Sequence, residues 1–309
     1  MFGCRYLYIL RVPNNTMENN KIKCPNCKKT NIVKRGSFET KAHGKQQRYF
    51  CKDCNKKFIE QTPFYRMRNT PQKITLCLDL FYKGVSTRKV QEHLQAFYPH
   101  NSSHKSIYKW VVKYSKLIHK KVDKLKITAS EEIQIDEMEY KTRGKKSWFI
   151  DTIDVETRFM VSSNFTEKRE QVELKRVLFN AKNKTGTQIK ICTSDGYTAY
   201  PNAIKRVWGY DNKKGKHNVR HNKVNASRGE GFNHKVERMH NSIRQRTKIF
   251  RGFHGSFESA NAIMKGYEVF YNFIRKHQAI NCCPYELACP QLKDKLNVPN
   301  KWLALIEMK

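Results

Sequence analysis

The sequence predicts three successive modules: a small metal-knit ribbon, a small all-α domain, and a larger α/β core with acids at its strand ends. Three observations lead there. Two C-x2-C pairs stand near the N-terminus, at Cys24/Cys27 and Cys51/Cys54. Apolar residues then recur at helical spacing through residues 70–126, and from about residue 130 the pattern turns to strand-like alternation. Around all of this lies a strong positive charge, 61 Lys and Arg against 27 Asp and Glu, or +34 over 309 residues.

Such a field attracts phosphate polymers by releasing their counterions. A basic membrane-surface protein would need an amphipathic anchor or a lipidation motif, and the sequence has neither. No apolar run is long enough to cross a bilayer, and "MFGCRYLYILRVPNN" is too short and too broken by Arg5 and Arg11 for a signal peptide. The expectation is a nucleic-acid partner, no membrane and a cytoplasmic location. Residues 1–20 are expected to be a poorly structured extension, with Met17 a second candidate start.

Residues 21–62 are expected to form a zinc ribbon. Cys24, Cys27, Cys51 and Cys54 form two knuckle-type pairs separated by 23 residues, each able to present two thiolates to one tetrahedral Zn2+. A hairpin through Gly36 to Gly44 accommodates that long interval. Four protein ligands close such a site, so its role is structural, and a module this small needs the ion to fold. The remaining cysteines have no paired spacing.

Residues 70–126 read as a helix-turn-helix domain. Pro71 opens a first helix carrying Ile74, Leu78 and Phe81; Gly84 breaks it, and Ser86 caps a second that Pro99 stops. Ser102 or Ser103 caps a third, basic helix, "HKSIYKWVVKYSKLIHKKV". Its Lys105, Lys109 and Lys113 share one side and are the candidate major-groove contacts, while Ile107, Trp110, Val111 and Tyr114 face the core.

Residues 130–280 carry the candidate chemistry. "EEIQIDEMEY" alternates as a strand and delivers Asp136, and "SWFIDTIDVETRFMVSSNF" reads as two more strands around a turn near Glu156-Thr157. Thr166 is the expected cap of the helix "EKREQVELKRVLFNAKN", after which the strand Ile189 to Cys192 delivers Asp195. Three antiparallel strands, a helix and another strand match an RNase H-like α/β core with acids at strand ends. Asp195-Gly196 is also a turn signal, and Glu137, Glu139, Asp151 and Asp154 rival Asp136. In "NHKVERMHNSIRQRTKIF" the residues Val236, Met239, Ile243 and Phe250 form one helical stripe, and Glu237, His240, Asn241 and Arg244 the adjacent one. His240 and Arg244 are expected at the DNA. Three convergent carboxylates suit Mg2+ or Mn2+, hard cations that take oxygen ligands and complete their shells with water and phosphate. His217 and His221 have metal-like spacing but read as solvated or phosphate-facing side chains in a basic loop. Residues 281–309 read as a C-terminal tail.

"IQIDEMEY", "TSDGYTAY" and "NHKVERMHNSIRQRTKIFRGFHGSF", followed by "MKGYEVFYNFIRKHQA", resemble the DDE transposases of bacterial and archaeal insertion sequences. The likeness is to the insertion-sequence-six family and its zinc-ribbon relatives, and it spans about Lys21 to Pro290. The resemblance implies an integrase-type catalytic core in which Asp136, Asp195 and Glu237 bind divalent metal. It also implies cleavage at transposon ends, joining of the freed 3′-hydroxyl to target double-stranded DNA, and a homodimer or larger assembly acting in the cytoplasm at the nucleoid. The 42 positions between Asp195 and Glu237 exceed the family's usual interval; Glu230 fits the spacing better but lies in a Gly-flanked loop, so Glu237 is preferred. Two rival readings are a non-catalytic DNA-binding regulator derived from such an enzyme, and a related integrase or nuclease.

Overall fold

The computed structural model describes residues 22–98, 102–213, 215–224, 233–248 and 252–308. The extension 1–20, Met17, Pro99, Glu230 and Phe250 lie outside the described residues. The chain divides into two compact units, Met1–Arg68 and Asn69–Lys309.

The first unit is a three-stranded antiparallel sheet of β1 (Ile32–Thr40), β2 (Gly44–Cys51) and β3 (Lys57–Ile59), in that order. A bulge between Lys34 and Ser37, where Gly36 takes a positive φ of 73°, twists the long hairpin that joins the two cysteine pairs. Lys28 (φ 63°) and Asn55 (φ 54°) each follow the second cysteine of a pair in left-handed backbone. Both loops close alike: Cys24 N–H donates to the Lys29 carbonyl at 2.9 Å, and Cys51 N–H to that of Lys56 at 3.0 Å. Cys24, Cys51 and Phe64 are the buried apolar residues here, far too little core to hold forty residues together unaided.

In the second unit, α1 (Pro71–Tyr82), α2 (Thr87–Phe97) and α3 (His104–Val122) start where the sequence predicts. Thr70, Ser86 and Ser103 each accept a backbone N–H of the first turn, three side-chain caps of one kind. These helices are not a separate domain, contrary to the expected boundary between 126 and 130. The third lies along α7 (Phe257–Val269), which runs on into a π-helical turn, Phe270–Ile274. Tyr82 is fully buried there, its hydroxyl 2.6 Å from Ser115 Oγ and donating to the Ile263 carbonyl at 3.3 Å. Residues 281–309 are not a tail either. They form α8 (Pro284–Ala288) and α9 (Lys301–Glu307); Trp302 stacks on Tyr82 at 5.3 Å and donates to Asp79 Oδ1 at 3.3 Å. An apolar stripe on each helix needed a partner, and the partners lie far away in the chain.

The core sheet has the order β10-β7-β4-β5-β6. Strands β4 (Glu132–Thr142), β5 (Lys145–Asp154) and β6 (Met160–Thr166) are antiparallel neighbours, joined by a two-residue Arg143-Gly144 turn and a turn at Val155–Arg158. Helix α4 (Gln171–Thr185) crosses to β7 (Ile191–Ser194), which pairs parallel to β4. Helix α5 (Tyr200–Trp208) and a small hairpin of β8 (Tyr210–Asp211) and β9 (Lys216–His217) then lead to β10 (Arg220–Lys223), parallel to β7. This is the RNase H-like arrangement, and α6 (His234–Thr247) packs on its β4 side.

Three expectations are corrected. Thr166 ends β6 and takes a bond from Lys168 N–H instead of capping α4, which starts at Gln171 without a side-chain cap. The basic loop after Trp208 contains the fifth strand of the core sheet, β10. Within it His217 packs edge-on against Tyr210 while His221 sits on β10 with Nε2 2.8 Å from Ser194 Oγ, so the two histidines form no site. Beyond α6, Gly252 (φ 106°) lets Phe253 N–H reach the Lys141 carbonyl at 2.7 Å and seat its ring beside Tyr140 and Phe165. A Cβ at Gly252 would approach that carbonyl to 2.9 Å, which is why glycine stands there.

Candidate active site

Because β4 and β7 run parallel with Glu132 opposite Ile191 and Gln134 opposite Thr193, continuing the register brings Asp136 level with Asp195. The two aspartates therefore lie side by side, Asp195 just past the end of β7 but Asp136 in the middle of β4, not at the strand end the sequence suggested, because β4 runs on to Thr142. Carboxylate oxygens of Asp136, Glu137 and Asp195 all lie within 4.8 Å of one another. Asp195 is the more open, and its Oδ1 accepts Tyr197 N–H at 2.9 Å. That Asx turn carries the chain from the sheet to α5, so the Asp-Gly signal marks a crossover turn and not a hairpin.

Asp136 is held from behind. Its Oδ1 accepts Glu137 N–H at 2.8 Å, and Oδ2 lies 3.4 Å from His240 Nδ1. The other ring nitrogen of His240 stands 3.1 and 3.0 Å from the two oxygens of Asp151, which is wholly buried and faces Asp136 across the β4–β5 ladder. Burial would lower the His240 pKa, but Asp151 and Asp136 reverse this and raise it, favouring an imidazolium between two carboxylates. Burial pushes the Asp136 carboxyl up to about 7; His240 opposes the rise, while Asp151, Asp195 and Glu237 add to it. The site thus has an excess of negative charge at its mouth.

Glu137 is spoken for by cations and hydroxyls. It pairs with Arg169 and accepts from the Tyr200 hydroxyl. Arg169 lies 4.0 Å from Asp195 Oδ2, with its guanidinium stacked over Tyr197 at 4.0 Å and Trp148 at 5.2 Å. Glu237 stands on the first turn of α6, exposed, near enough for its charge to raise Asp136 but outside the 4.8 Å group. Gln134 sets that helix in place: its Oε1 accepts Lys235 N–H at 3.1 Å and Val236 N–H at 3.3 Å, capping α6 from β4. Sequence reasoning missed Gln134, although it lies in "IQIDEMEY", and named Glu137 only as a rival to Asp136; a Gln two positions before the aspartate is the one signal available.

The rival acids sort themselves by partner. Asp154 accepts from Ser130 and Thr157, both backbone and hydroxyl, and is a turn residue; Glu139 pairs with Lys146. Lys105, Lys109 and Lys113 are exposed along α3, and Arg244 is exposed on α6. His240 is 1% exposed, so it is a positioning group beneath the acids and not a surface contact for DNA. In the first unit, Cys24 Sγ lies 3.5 Å from Cys54 Sγ, and Cys27 Sγ 3.5 Å from Cys51 Sγ, all within 4.8 Å. Tetrahedral zinc with Zn–S bonds of about 2.3 Å asks for sulfurs about 3.8 Å apart, so the four thiolates fit.

A sheet that sets Asp136, within β4, beside Asp195, just past the end of the parallel β7, with a carboxylate-bearing helix alongside, has the arrangement of an RNase H-like, metal-dependent polynucleotidyl transferase. Residues 130–278 match the family described as a DDE domain. Over that stretch, just under half of its length, the chain is similar to the DDE insertion-sequence transposases. Over 295 residues it is 23% identical to the "Insertion element ISM1 uncharacterized 48.3 kDa protein" of Methanobrevibacter smithii, covering 85% of this chain and 70% of that relative. Among solved structures it is similar to the HTLV-2 integrase catalytic core domain in complex with magnesium (14% identity, TM-score 0.37, 52% of this chain and 98% of that one). It is also similar to a chain of the simian T-cell lymphotropic virus intasome (11% identity, TM-score 0.39, 68% and 73%). Among the described residues no helix is long and apolar enough to cross a membrane.

Proposed function

We propose that the protein binds the ends of a mobile element and catalyses DNA cleavage and strand transfer at the site built by Asp136, Asp195 and Glu237. The observation that carries this is the meeting of Asp136, within β4, and Asp195, just past the end of β7, with Asp136 pushed up to about 7 by burial and neighbouring acids. Those oxygens are the hard donors Mg2+ or Mn2+ takes, and a cation there relieves the repulsion. When bound, the metal supplies activation of the attacking oxygen and stabilisation of the leaving one.

The chain's own residues do the rest. His240, braced by Asp151, holds Asp136 in one rotamer, and Gln134 fixes the helix that presents Glu237. Arg169 ties Glu137 back and stands beside Asp195, where it can orient a phosphate oxygen. Arg244, seven positions beyond Glu237 on α6, and the lysine row of α3 hold backbone phosphates. In the first unit Cys24, Cys27, Cys51 and Cys54 hold a structural Zn2+. The working form is a homodimer or larger assembly on paired ends, associated with the nucleoid.

The test is strand transfer by purified protein with Mg2+ and the element's ends. Asp195→Asn keeps an acceptor for Tyr197 N–H, so the turn survives while the metal-binding charge goes; DNA binding is expected intact and joining lost. Joining at the wild-type rate would refute the assignment. Comparing Glu237→Gln with Glu137→Gln identifies the third acid, since the variant that binds DNA but does not join it lacks the ligand.

A further inference from the structure

Helix α6 has a second polar flank that the acids do not use. Lys235, Arg238 and Ser242 stand at offsets 0, 3 and 7, on the opposite side of the buried Val236–Met239–Ile243 stripe from Glu237, Asn241 and Arg244. That flank lines a cavity of about 340 Å³, whose other walls are Arg158 from the β5–β6 turn and Arg275 and Lys276 from the end of the π-helical turn. Five cations converge there, and no acid lines the cavity.

Charges gathered like this oppose one another. Arg158 sits at a positive φ of 60°, with its Nε buried and without a hydrogen-bond partner. Its nearest acid, Asp154, is already engaged by Ser130 and Thr157. Behind them His277, pushed down to about 4 by burial and then by Arg275, Arg158 and Arg246, stays neutral and donates Nε2–H to the Tyr271 carbonyl, 3.1 Å away. The cavity is a concave cationic surface with an unused donor at its base.

It is also not a point site. A second cavity of about 740 Å³ shares Arg275 and Lys276 and continues past Arg246, whose Nε is likewise buried without a partner, to Lys83 and Lys301. The one acid lining it, Asp79, is paired with Lys83 at 2.6 Å. A small anion would fill one cavity; a row of cations through two joined cavities matches a polymer with a repeating negative charge.

We propose that this track binds a DNA phosphate backbone, separately from the lysine row of α3. An α-helix is about 10–12 Å across with its side chains, so the track and the acids lie on the two flanks of one helix, about three phosphate steps apart at about 3.4 Å per strand charge. The track grips the strand beside the reacting phosphate. This rests on the transposase reading.

The experiment uses the full chain with Arg238→Glu and Lys276→Glu together, both exposed side chains, and a duplex of arbitrary sequence titrated across a salt series. Each lost phosphate contact lowers the slope of log K against log salt by about 0.9, so the double variant is expected to lose about 1.8, and Lys276→Arg to keep the wild-type slope. If the double variant melts early, Lys276→Gln alone is expected to lose about 0.9. An unchanged slope, with Lys105→Glu and Lys109→Glu lowering it, overturns the proposal and leaves the transposase reading standing. A lowered slope with no strand transfer by the wild-type protein has the opposite meaning: the track binds DNA, and the reaction is a different one. Loss of binding to anionic lipid vesicles with DNA binding intact also overturns it.

Discussion

Replacing Glu268 by glutamine tests how helices α1–α3 are joined to the core sheet. Glu268 lies on α7, 2% exposed, where four elements meet. Its Oε2 accepts from Ser163 Oγ at 2.6 Å and Lys265 Nζ at 3.3 Å and faces His119 Nε2 of α3 at 3.5 Å; Oε1 faces Lys184 Nζ of α4 at 3.6 Å. Breaking a buried ion pair from one side costs about 3–5 kcal/mol when the surviving charge is stranded. Here Lys184 keeps Asp123 at 2.8 Å and Lys265 keeps the Ser163 carbonyl at 2.6 Å. The expected loss is therefore near the lower end, about 3 kcal/mol. The sign with pH follows from the carboxyl's own shift. Burial would raise it, but Lys265, Lys184 and His119 hold it well below the ordinary glutamate value. A depressed carboxyl contributes stability above its unfolded value, about 4.3, and loses it as pH falls through the folded value. The gap between wild type and Glu268→Gln in urea unfolding should be full at pH 7 and close on acidification below about pH 4. A gap under about 1 kcal/mol at pH 7, or one that widens in acid, would refute the account.

Gly266→Ala should cost about 1–3 kcal/mol by overpacking, because a Cβ there overlaps the Tyr82 hydroxyl and comes within 2.5 Å of Ser115 Oγ; a wild-type urea midpoint would contradict the tight α1–α3–α7 contact. Cys24→Ser should remove zinc from the purified protein and open residues 22–68 to amide exchange, while protection in the Asn69–Lys309 unit holds. Unchanged zinc content by elemental analysis would exclude the four-thiolate site. His240→Leu leaves Asp151 buried without its only side-chain hydrogen-bond partner among the described residues and should destabilise by about 3–5 kcal/mol; loss of activity with full stability would instead place His240 in the reaction.

What could be read from the sequence was what short-range chemistry determines. Doubled C-x2-C spacing is a statement about ligand number, and the structure brings those sulfurs together. Helix α3 starts at His104 as expected, because a serine cap and an apolar stripe are both local. Strand β10, "RHNK", was unreadable: it is held by backbone pairing to β7, so hydropathy carries no trace of it. Helix α4 starts late because the Tyr197 hydroxyl takes the Arg169 carbonyl at 2.8 Å, a tertiary contact that no local pattern encodes. At the site, the stripe holding Glu237 and His240 was legible, but not which way it faced. An imidazole three positions from a carboxylate lies at the border of two helix faces, and only the sheet with Asp151 beneath draws it inward. Glu137 was legible only as a rival to Asp136, since strand alternation sends neighbours to opposite faces, whereas here both acids reach Asp195.

The seat of α3 on α7 limits how such a protein can change. The region matching the DDE family begins at residue 130, yet the compact unit begins at Asn69. Expressed from residue 130, the chain would bare the side of α7 that Tyr82 and Ser115 cover. An α1–α3 segment grafted from a relative would have to bring a matching α7 with it. New binding preferences would then come more readily by single replacements along the exposed Lys105, Lys109 and Lys113 row than by exchange of whole cassettes.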